Sequence, residues 1–508
     1  MPTNGESDRE LELKLAVPDG AVRGVLDCPV LLLSAPDAKR LHQVTTYYDT
    51  PDLALSHAGI ALRVRRSNGA HVQTVKADSR AGLAADRFER EWPIEGDRPD
   101  PNLLAQTPVA AGLPEHLPLE PVAITEIDRT ARLLDLDDGT QVEAAFDSGW
   151  IIAGNARVSV KELELELRQG DPVAIYRLAL QLHASVPMTI ETESKAARGF
   201  SLRHGTTPAP SKSAHVALIP DTCGADAFRQ IIAAGLDHLL ANRSPTVAGD
   251  AEGLHQMRVA IRRLRSALVF FRPHLELERY ALARFDEELR RIGRVFGEAR
   301  DWDVFCLDIL PATLADNAAG WRDILQEPAQ RQRDAAYRAV TAQVAAPAFT
   351  SLVLGLAAWT EQGAGQALLV GDHALHRSIA RLAPEMLDRL ADKVAHRGRH
   401  IDGSDRERHA LRKSLKKLRY AIDYAAGAYP HKSVRSYLHA CAQLQEALGE
   451  INDAVAAIGL AERLAEGHPD LTPALGALAN ILTARRQEAV QDLPRRWQHF
   501  RSEPRFWG

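Results

Sequence analysis

The chain has 508 residues, of which 45% are hydrophobic and 25% are charged, and its formal net charge is −5. This length exceeds one ordinary hydrophobic core, and the composition is that of a folded chain rather than a disordered one. Residues 1–220 carry 23 basic and 31 acidic side chains, and residues 221–508 carry 39 and 36, so neither part is a strongly basic nucleic-acid-binding domain.

The cysteines and the apolar segments bear on where the protein is found. The four cysteines lie far apart and form no CxxC pair, which argues against a disulfide scaffold and against a thiolate zinc site. The N-terminus has no apolar signal segment, and the longest apolar stretch, TSLVLGLAAW, is too short to span a bilayer. We therefore expect a cytoplasmic protein that does not bind a membrane.

The first predicted element is a strand, RELELKL at positions 9–15. Because side chains alternate along a strand, Glu10, Glu12 and Lys14 share one face and the leucines share the other. The same alternation predicts strands in ALRVRR, HVQTVKA, RFEREWPI, QVEAAFD, VSVKELELELR and TIETESK. A helix, DPVAIYRLALQLHAS, precedes the last of them, and the N-terminal part is otherwise β-rich.

Several of these strands carry charges of one sign on one face, such as Arg63 with Arg65, or the glutamates of KELELEL. Exposure of one sheet face to solvent would explain any single strand. Its repetition, with like charges that repel, favours a barrel whose leucines pack outward and whose charges line a hydrated lumen. Basic side chains there would bind a polyanion, and carboxylates would hold divalent cations that bridge to it. Magnesium with phosphate matches this lining.

The segment ELELK resembles the ExExK signature of the CYTH domain, the family of triphosphate tunnel metalloenzymes. Further segments follow in the order of that family: YYDTPDLALSHAGIALRVRR, VQTVKA, EIDRTA, VEAAFDSG, KELELELRQG and ESKAARGFSL. The resemblance covers about residues 6–203 and implies an eight-stranded antiparallel tunnel that hydrolyses or rearranges triphosphates with Mg²⁺ or Mn²⁺. Ala131 stands where some members have a second basic residue after the arginine, so weaker binding of one phosphate is expected.

Carried over motif by motif, this resemblance implies two groups of site residues. The phosphate-binding group is Lys14, Arg63, Arg65, Lys76, Arg129 and Lys195. The group that holds the metal or orients the attacking water, and that together with Lys14 forms the catalytic set, is Glu10, Glu12, Asp147, Glu162 and Glu164. Further candidates for the same lining are Glu89, Glu91, Glu143 and Glu166.

The alternating pattern typical of strands ends before a Pro-, Ser- and Thr-rich linker at 204–220. From 221 to 503, long segments with apolar spacings of three and four predict an all-helical domain. This domain repeats internally, because HQMRVAIRRLRSALVFF at 255–271 resembles HALRKSLKKLRYAIDYA at 409–425, and FGEARDWDV resembles LGEINDAVA. Two copies of one helical unit about a pseudo-twofold axis are the simplest interpretation.

Each copy has a basic stripe opposite an apolar stripe when its residues are placed at 100° intervals. A solvated face of an amphipathic helix would explain such a stripe. The stripes contain no acidic residues for i,i+4 pairing, however, and their repetition favours a site for an anion. The residues of the two stripes and their flanks are His255, Arg258, Arg262, Arg263, Arg265, His409, Arg412, Lys416, Lys417 and Arg419.

The duplicated unit resembles the CHAD domain over about 224–500, on the segments RRLR, GEARDWDV and KKLRY. That family is helical, is built as two pseudo-symmetric four-helix bundles, and binds inorganic polyphosphate. The resemblance therefore implies that the two stripes bind polyphosphate. Lysines at two arginine positions of the second copy keep the charge but lose the bidentate geometry.

These patterns predict an N-terminal tunnel that hydrolyses inorganic triphosphate with a metal ion, followed by a helical domain that binds polyphosphate. The expected partners are these two phosphates, without sequence-specific nucleic-acid binding, and the expected location is the cytoplasm, at polyphosphate granules. Two alternatives are a non-catalytic polyphosphate-binding protein and a tunnel enzyme for an organic triphosphate, such as a thiamine triphosphatase or a class IV-type adenylate cyclase. The sequence contains no Walker loop, Rossmann fingerprint or nucleophile elbow.

Overall fold

The computed structural model describes residues 9–34, 37–80, 83, 85–114, 117–214, 216, 218–275, 279–313, 321–370 and 375–508. Within these ranges it describes the side chains except at 9, 10, 33, 34, 78–80, 85–87, 322 and 363–370. The chain divides into two compact units, residues 1–209 with 345–361, and residues 210–344 with 362–508. A short segment from the helical half of the sequence thus belongs to the first unit.

The first unit is built on an antiparallel sheet, and its N-terminal β-rich character is confirmed. Its strands are β1 (Arg9–Ala16), β2 (Lys39–Asp49), β3 (Ile60–Ser67), β4 (Ala70–Arg80), β5 (Ala85–Ile94), β6 (Glu120–Asp135), β7 (Gln141–Ala153), β8 (Ala156–Gln169) and β9 (Thr189–Glu191). Their order is β5-β4-β3-β2-β6-β7-β8-β1-β9. A short ladder of β1 with β5, from Arg9–Phe88 to Glu12–Ala85, joins the first strand of this order to the last but one and gives the sheet a tunnel-like course.

Alternation along β1 and β8 separates apolar from charged side chains as the sequence predicts. The apolar side chains of Leu13, Leu15, Leu163 and Leu165 have no exposed surface, and they point away from the glutamates that alternate with them. Burial of four leucines on one side of a strand pair anchors the sheet, since each contributes about 2 kcal/mol relative to an exposed side chain. The charged side chains are thereby directed into the lumen.

The helices of the first unit are short apart from two that follow β8. They are α1 (Val22–Leu26), α2 (Pro29–Ser34), α3 (Ala54–His57), α4 (Pro101–Ala105), α5 (Val173–Ser185) and α6 (Lys195–His204). Helix α5 is the one predicted from the sequence, and it packs against β8. Helix α6 packs against β6 and β7, where a Cβ at Gly199 would lie 2.6 Å from the Cβ of Ala123. Only glycine permits this approach, which brings the first turn of α6 to the lumen.

The second unit is helical, as predicted, and within the described residues its only strand-like pairing is one isolated bridge. The helices of the C-terminal part of the sequence are α7 (Gly224–Ala241), α8 (Arg243–Val247), α9 (Ala251–Phe271), α10 (Arg279–Asp303), α11 (Leu310–Thr313), α12 (Trp321–Ala345), α13 (Pro347–Val370), α14 (Ile379–Gly398), α15 (Asp405–Ala425), α16 (His431–Gly467) and α17 (Thr472–Ser502). A π-helical segment, Val304–Ile309, continues α10.

The predicted internal repeat is visible in reciprocal backbone contacts. The N–H of Gly224 donates to the carbonyl of Arg377 at 2.9 Å, and the N–H of Ile379 donates to the carbonyl of Thr222 at 2.8 Å. These bonds flank the bridge between the N-caps of α7 and α14, Cys223 and Ser378. Such an exchange is what a local twofold axis produces, so α7, α9 and α10 correspond to α14, α15 and α16.

No single helix in the described part of the chain is long and apolar enough to cross a membrane. One bent pair, Asp323–Ala345 with Pro347–Gln362, has the combined length and composition.

Candidate active site and basic helix surface

Four of the five predicted metal-binding carboxylates lie together on β1, β7 and β8. Their exposed fractions are only 6, 1, 1 and 7%. The strand register places Asp147 opposite Glu162 and Lys14 opposite Glu164. The four are Glu12, Asp147, Glu162 and Glu164. The side chain of the fifth, Glu10, lies outside the described residues.

Lys195, in the first turn of α6, lies among three of these carboxylates. Its Nζ is 2.9 Å from Asp147 Oδ2, 2.9 Å from Glu162 Oε2 and 2.6 Å from Glu164 Oε1. Ser194 caps the helix and accepts a hydrogen bond from the N–H of Ala197, which fixes where the helix begins. Burial alone would lower the pKa of Lys195, but the three carboxylates raise it well above its usual value, so it stays charged.

Arg129 on β6 completes the same network. Its Nε and Nη2 donate to the two oxygens of Asp147, both at 2.7 Å, and it also contacts Glu164. Burial raises the pKa of Glu164, but Lys195, Arg129 and Lys14 outweigh it and hold the pKa well below its usual value. The carboxylate is therefore ionised at neutral pH.

The second cation from α6, Arg198, contacts Glu162 and was not among the predicted site residues. The only signal in the sequence is its position one turn after Lys195 in the segment ESKAARG. Helical spacing of three places both side chains on the same face of α6.

A second group of ion pairs lies on β3, β4 and β5. Arg63 Nη2 is 3.3 Å from Glu89 Oε1, and Lys76 Nζ is 2.8 Å from Glu89 Oε2. Thr74 donates its hydroxyl hydrogen to Glu91 at 2.9 Å. Farther along β7 and β8, the remaining predicted lining residues meet one arginine: Arg168 contacts both Glu143 and Glu166.

Arg65 differs from the other predicted phosphate-binding cations. Its Nε donates to Thr45 Oγ1 at 3.3 Å, and no carboxylate among the described side chains forms an ion pair with it. Burial, together with the charges of Arg63 and Arg129, lowers its pKa to about 10. Arg65 is thus a partly buried guanidinium that forms no ion pair with a carboxylate in the described part of the molecule.

The carboxylates have the chemistry of a site for a hard divalent cation, since Mg²⁺ and Mn²⁺ prefer oxygen ligands. Among the described residues, no three His, Cys, Asp or Glu side chains are arranged as a ready-made metal cage. The ammonium group of Lys195 instead lies where three carboxylate oxygens converge. The donor set therefore fits such a cation, provided that Lys195 moves away.

In the second unit, the two basic stripes meet where α9 and α15 pack against each other. Lys416 is mostly buried, and its pKa falls to about 6 because of burial and of the neighbouring Arg412, Arg262 and Arg258. The pKa of Arg258 likewise falls to about 10 through burial and through nearby cations from both copies. Cations from both copies therefore form one cluster, the central cluster, which consists of Arg258, Arg262, Arg412 and Lys416.

The repeated GEAR and GEIN segments position two of these arginines in matching ways. Arg258 Nη1 donates to the carbonyls of Phe296 and Gly297, at 3.1 and 2.6 Å. Arg258 and Arg412 each lie 3.9 Å from an aspartate, at Asp301 and Asp453. A Cβ at Gly297 would be 3.4 Å from Arg258 Nη1, so glycine leaves room for the guanidinium. The sequence repeat thus corresponds to a repeated structural contact.

Four other predicted cations of the stripes and their flanks do not belong to this cluster: Arg263, Arg265, Lys417 and Arg419. Arg263 lies over the rings of Tyr420 and Tyr424, with its Cζ 5.8 and 5.6 Å from their centroids. Arg265 Nε is 2.8 Å from Asp286 Oδ1. Arg419 Nη1 donates to Gln445 Oε1 at 3.1 Å.

Two histidines and one further arginine border the central cluster. His409 Nδ1 is 2.6 Å from Asn452 Oδ1, and burial lowers its pKa. Burial and the cations Arg300 and Arg262 lower the pKa of His255 to about 4, so this imidazole is neutral at neutral pH. Arg300 was not predicted, although it belongs to the GEARD segment.

Comparison with known proteins finds a family match in each part of the chain. Residues 8–200 match the CYTH domain, and residues 230–462 match the CHAD domain. An inorganic triphosphatase from Haemophilus influenzae is 29% identical over 206 residues, which are 38% of this chain and 55% of that protein. The chain thus spans about half the length of this curated relative.

Two solved structures are similar to parts of the chain. The CHAD domain of the plant Ricinus communis is 31% identical, with a TM-score of 0.51, over 59% of this chain and 98% of that one. A Hippeastrum protein, described as a candidate adenylyl cyclase with dominant triphosphatase activity, is 18% identical with a TM-score of 0.29, over 39% and 96%. The chain therefore belongs to the CHAD family through its helical part, and its residues 8–200 match the CYTH domain.

Proposed function

We propose that the first unit hydrolyses inorganic triphosphate with the help of Mg²⁺ or Mn²⁺. The observation that carries this proposal is Arg65, which has no carboxylate partner among the described side chains. The other predicted phosphate-binding cations, such as Lys14, Lys76 and Arg129, each have one. An anionic substrate would supply the missing charge. The name of the Haemophilus influenzae relative and the CYTH match support this choice of substrate.

In this proposal each group of lumen residues has a separate task. Arg65, with Arg63 and Lys76 on the neighbouring strand positions, binds the phosphate oxygens and neutralises the charge that develops during hydrolysis. Glu12, Asp147 and the paired glutamates of β8 hold the divalent cation, with the predicted help of Glu10. The bound cation would neutralise phosphate oxygens and orient the triphosphate for in-line attack. No covalent nucleophile is required.

Release of phosphate from tripolyphosphate, with and without each metal, tests this proposal. Arg65→Gln should lower the rate strongly, while Arg66→Gln, a control at the exposed neighbouring position, should leave it unchanged. Thiamine triphosphate and nucleoside triphosphates in the same assay test the organic-triphosphate alternative, which predicts faster phosphate release from one of them than from tripolyphosphate. Failure of the intact protein to release phosphate from any of them would favour the non-catalytic alternative.

We propose further that the second unit binds inorganic polyphosphate at the central cluster. Lys416 supports this, because it is a mostly buried lysine with no ion pair to a described side chain and lies among three arginines. A flexible polyanion supplies the charge that such a cluster lacks. Affinity should fall steeply with salt, as in other contacts with phosphate backbones. Duplex DNA at equal phosphate concentration should bind much more weakly, and equal affinity would indicate only a generic basic surface.

The proposed location follows from the proposed ligand. A protein that binds polyphosphate should accumulate at polyphosphate granules in the cytoplasm. A fluorescent fusion of the intact protein should lose this localisation when Arg258 and Arg262 are both replaced by alanine.

A further inference from the structure

The two copies in the second unit differ where α7 and α14 correspond. By the correspondence of Cys223 with Ser378, His238 and Asn242 of the first copy match Lys393 and Arg397 of the second. His238 and Asn242 are buried, at 4 and 0% exposure. The first copy thus has neutral, buried side chains where the second copy has cations.

A backbone segment covers this position in the first copy. Ser211, just before α7, donates its N–H to Asn242 Oδ1 at 2.9 Å and accepts from Asn242 Nδ2 at 2.9 Å. Its carbonyl also lies 3.1 Å from His238 Nε2. The backbone of Ser211 therefore satisfies the buried polar side chains at this end of α7.

The equivalent surface of the second copy carries four cations in two rows. Lys393 and Arg397 are one turn apart on α14, and Lys413 and Lys417 are one turn apart on α15. The rows are adjacent, because Arg397 Nη1 donates to the carbonyl of Ala410 at 2.8 Å. We name these four residues the α14–α15 surface. The first copy has Val259 at the position that corresponds to Lys413.

Opposite charge is scarce on the α14–α15 surface. None of its three lysines forms a hydrogen bond or ion pair with a described residue, and Lys393 and Lys413 are exposed. The nearby carboxylate of Asp286 is already shared between Arg265, at 2.8 Å, and Arg290, at 2.7 Å. Burial and the charges of Arg265, Lys393 and Arg397 lower the pKa of Lys417, which agrees with an excess of positive charge here.

We infer that the α14–α15 surface is a second anion-binding site, which takes the continuation of a linear phosphate polymer whose first part binds at the central cluster. Lys416 and Lys417 are adjacent in the chain, so the two sites adjoin. Within each row the Cβ atoms lie about 5–6 Å apart, so the two long side chains can contact successive phosphate groups of a flexible chain. This inference rests on the proposed polyphosphate binding and adds that ligand length matters.

The test uses the full chain with two ligands, tripolyphosphate and a long-chain polyphosphate of defined length. Lys393→Gln, Lys413→Gln and Lys417→Gln combined should weaken long-chain binding about tenfold, while phosphate release from tripolyphosphate stays unchanged. Three lost contacts should also reduce the slope of log affinity against log salt by about 2, at about 0.7 per contact. The conservative triple replacement by arginine should retain long-chain binding, because it keeps the charges.

The control removes the same number of charges from exposed positions elsewhere in the second unit, by Lys432→Gln, Arg435→Gln and Arg501→Gln. It should bind both ligands as the unaltered chain does. Unchanged long-chain affinity in the α14–α15 variant would overturn this inference and leave the proposed function intact. An unaltered chain that binds no polyphosphate at all would overturn the proposed function of the second unit as well.

Discussion

Glu162 is the most completely buried of the described glutamates in the lumen, at 1% exposure, and it contacts both Lys195 and Arg198. Glu162→Gln keeps the shape but removes the charge that is proposed to bind a divalent cation. Hydrolysis should fall on the order of 100-fold or more, since a metal ion supplies several kcal/mol and 1.4 kcal/mol is a factor of ten. Glu126→Gln, on an exposed position of β6, is the control. Calorimetric titration with Mn²⁺ should show weaker binding for the first variant only, and equal binding would contradict the assignment.

Lys416 predicts a pH dependence in the second unit. With a pKa of about 6, its amine is mostly neutral at pH 8. A bound polyanion favours the charged form, so binding takes up a proton, and affinity should decline as the pH rises above about 6.

Calorimetry in buffers of different ionisation enthalpy measures this proton uptake at pH 8. Lys416→Arg should reduce the uptake while preserving binding, because a guanidinium is charged before the ligand arrives. Uptake that is the same in both proteins would mean that Lys416 is already protonated in the free chain.

At the level of elements, α9 and α15 contribute to one cluster rather than to two sites. Arg258→Ala with Arg262→Ala should therefore lower polyphosphate affinity about as much as Arg412→Ala with Lys416→Ala. Each pair removes two of the four cations, and the remaining two repel each other less but bind the polyanion only weakly. If either pair alone left high-affinity binding intact, the copies would act as independent sites.

The sequence was informative about these elements because their signals are periodic. Alternation in KELELEL predicted which side of β8 is charged, and the repeated stripes predicted that Arg258 and Arg412 are equivalent. Periodicity says nothing about partners from distant segments, so the position of Lys195 among three carboxylates was not foreseen. Helical spacing also places Arg265 on the same stripe as Arg258, although Arg265 forms an ion pair with Asp286 on α10.

At the scale of the whole molecule, the segment 345–361 links the first unit to a distant part of the sequence. His183 on α5 is buried, accepts a hydrogen bond from the N–H of Met188 at 3.0 Å, and lies 2.9 Å from the carbonyl of Pro347. No pattern in the sequence indicated this contact, because a single histidine on an otherwise apolar helix face has no period.

His183→Ala should therefore destabilise the first unit by about 1–3 kcal/mol, since it leaves buried polar groups without partners. His204→Ala, at the exposed end of α6, should have little effect. Thermal unfolding followed together with triphosphatase activity measures both.

A fragment that ends at residue 209 lacks the segment 345–361 and should lose activity at a lower temperature than the full chain. Equal heat resistance would show that this segment is dispensable.

The ammonium group of Lys195 affects the stability of the first unit when no divalent cation is bound. The Lys195 ammonium offsets the mutual repulsion of Asp147, Glu162 and Glu164. The folded lumen therefore does not need a bound metal ion to neutralise these carboxylates. Chelation should thus leave the fold intact, with a melting temperature only slightly below that of the metal-loaded protein. Lys195→Met should reverse this behaviour, so that the chelated protein melts earlier and Mn²⁺ restores the difference. Under the proposed metal-dependent hydrolysis, the chelated protein should stay folded but inactive and should regain activity when the cation is added.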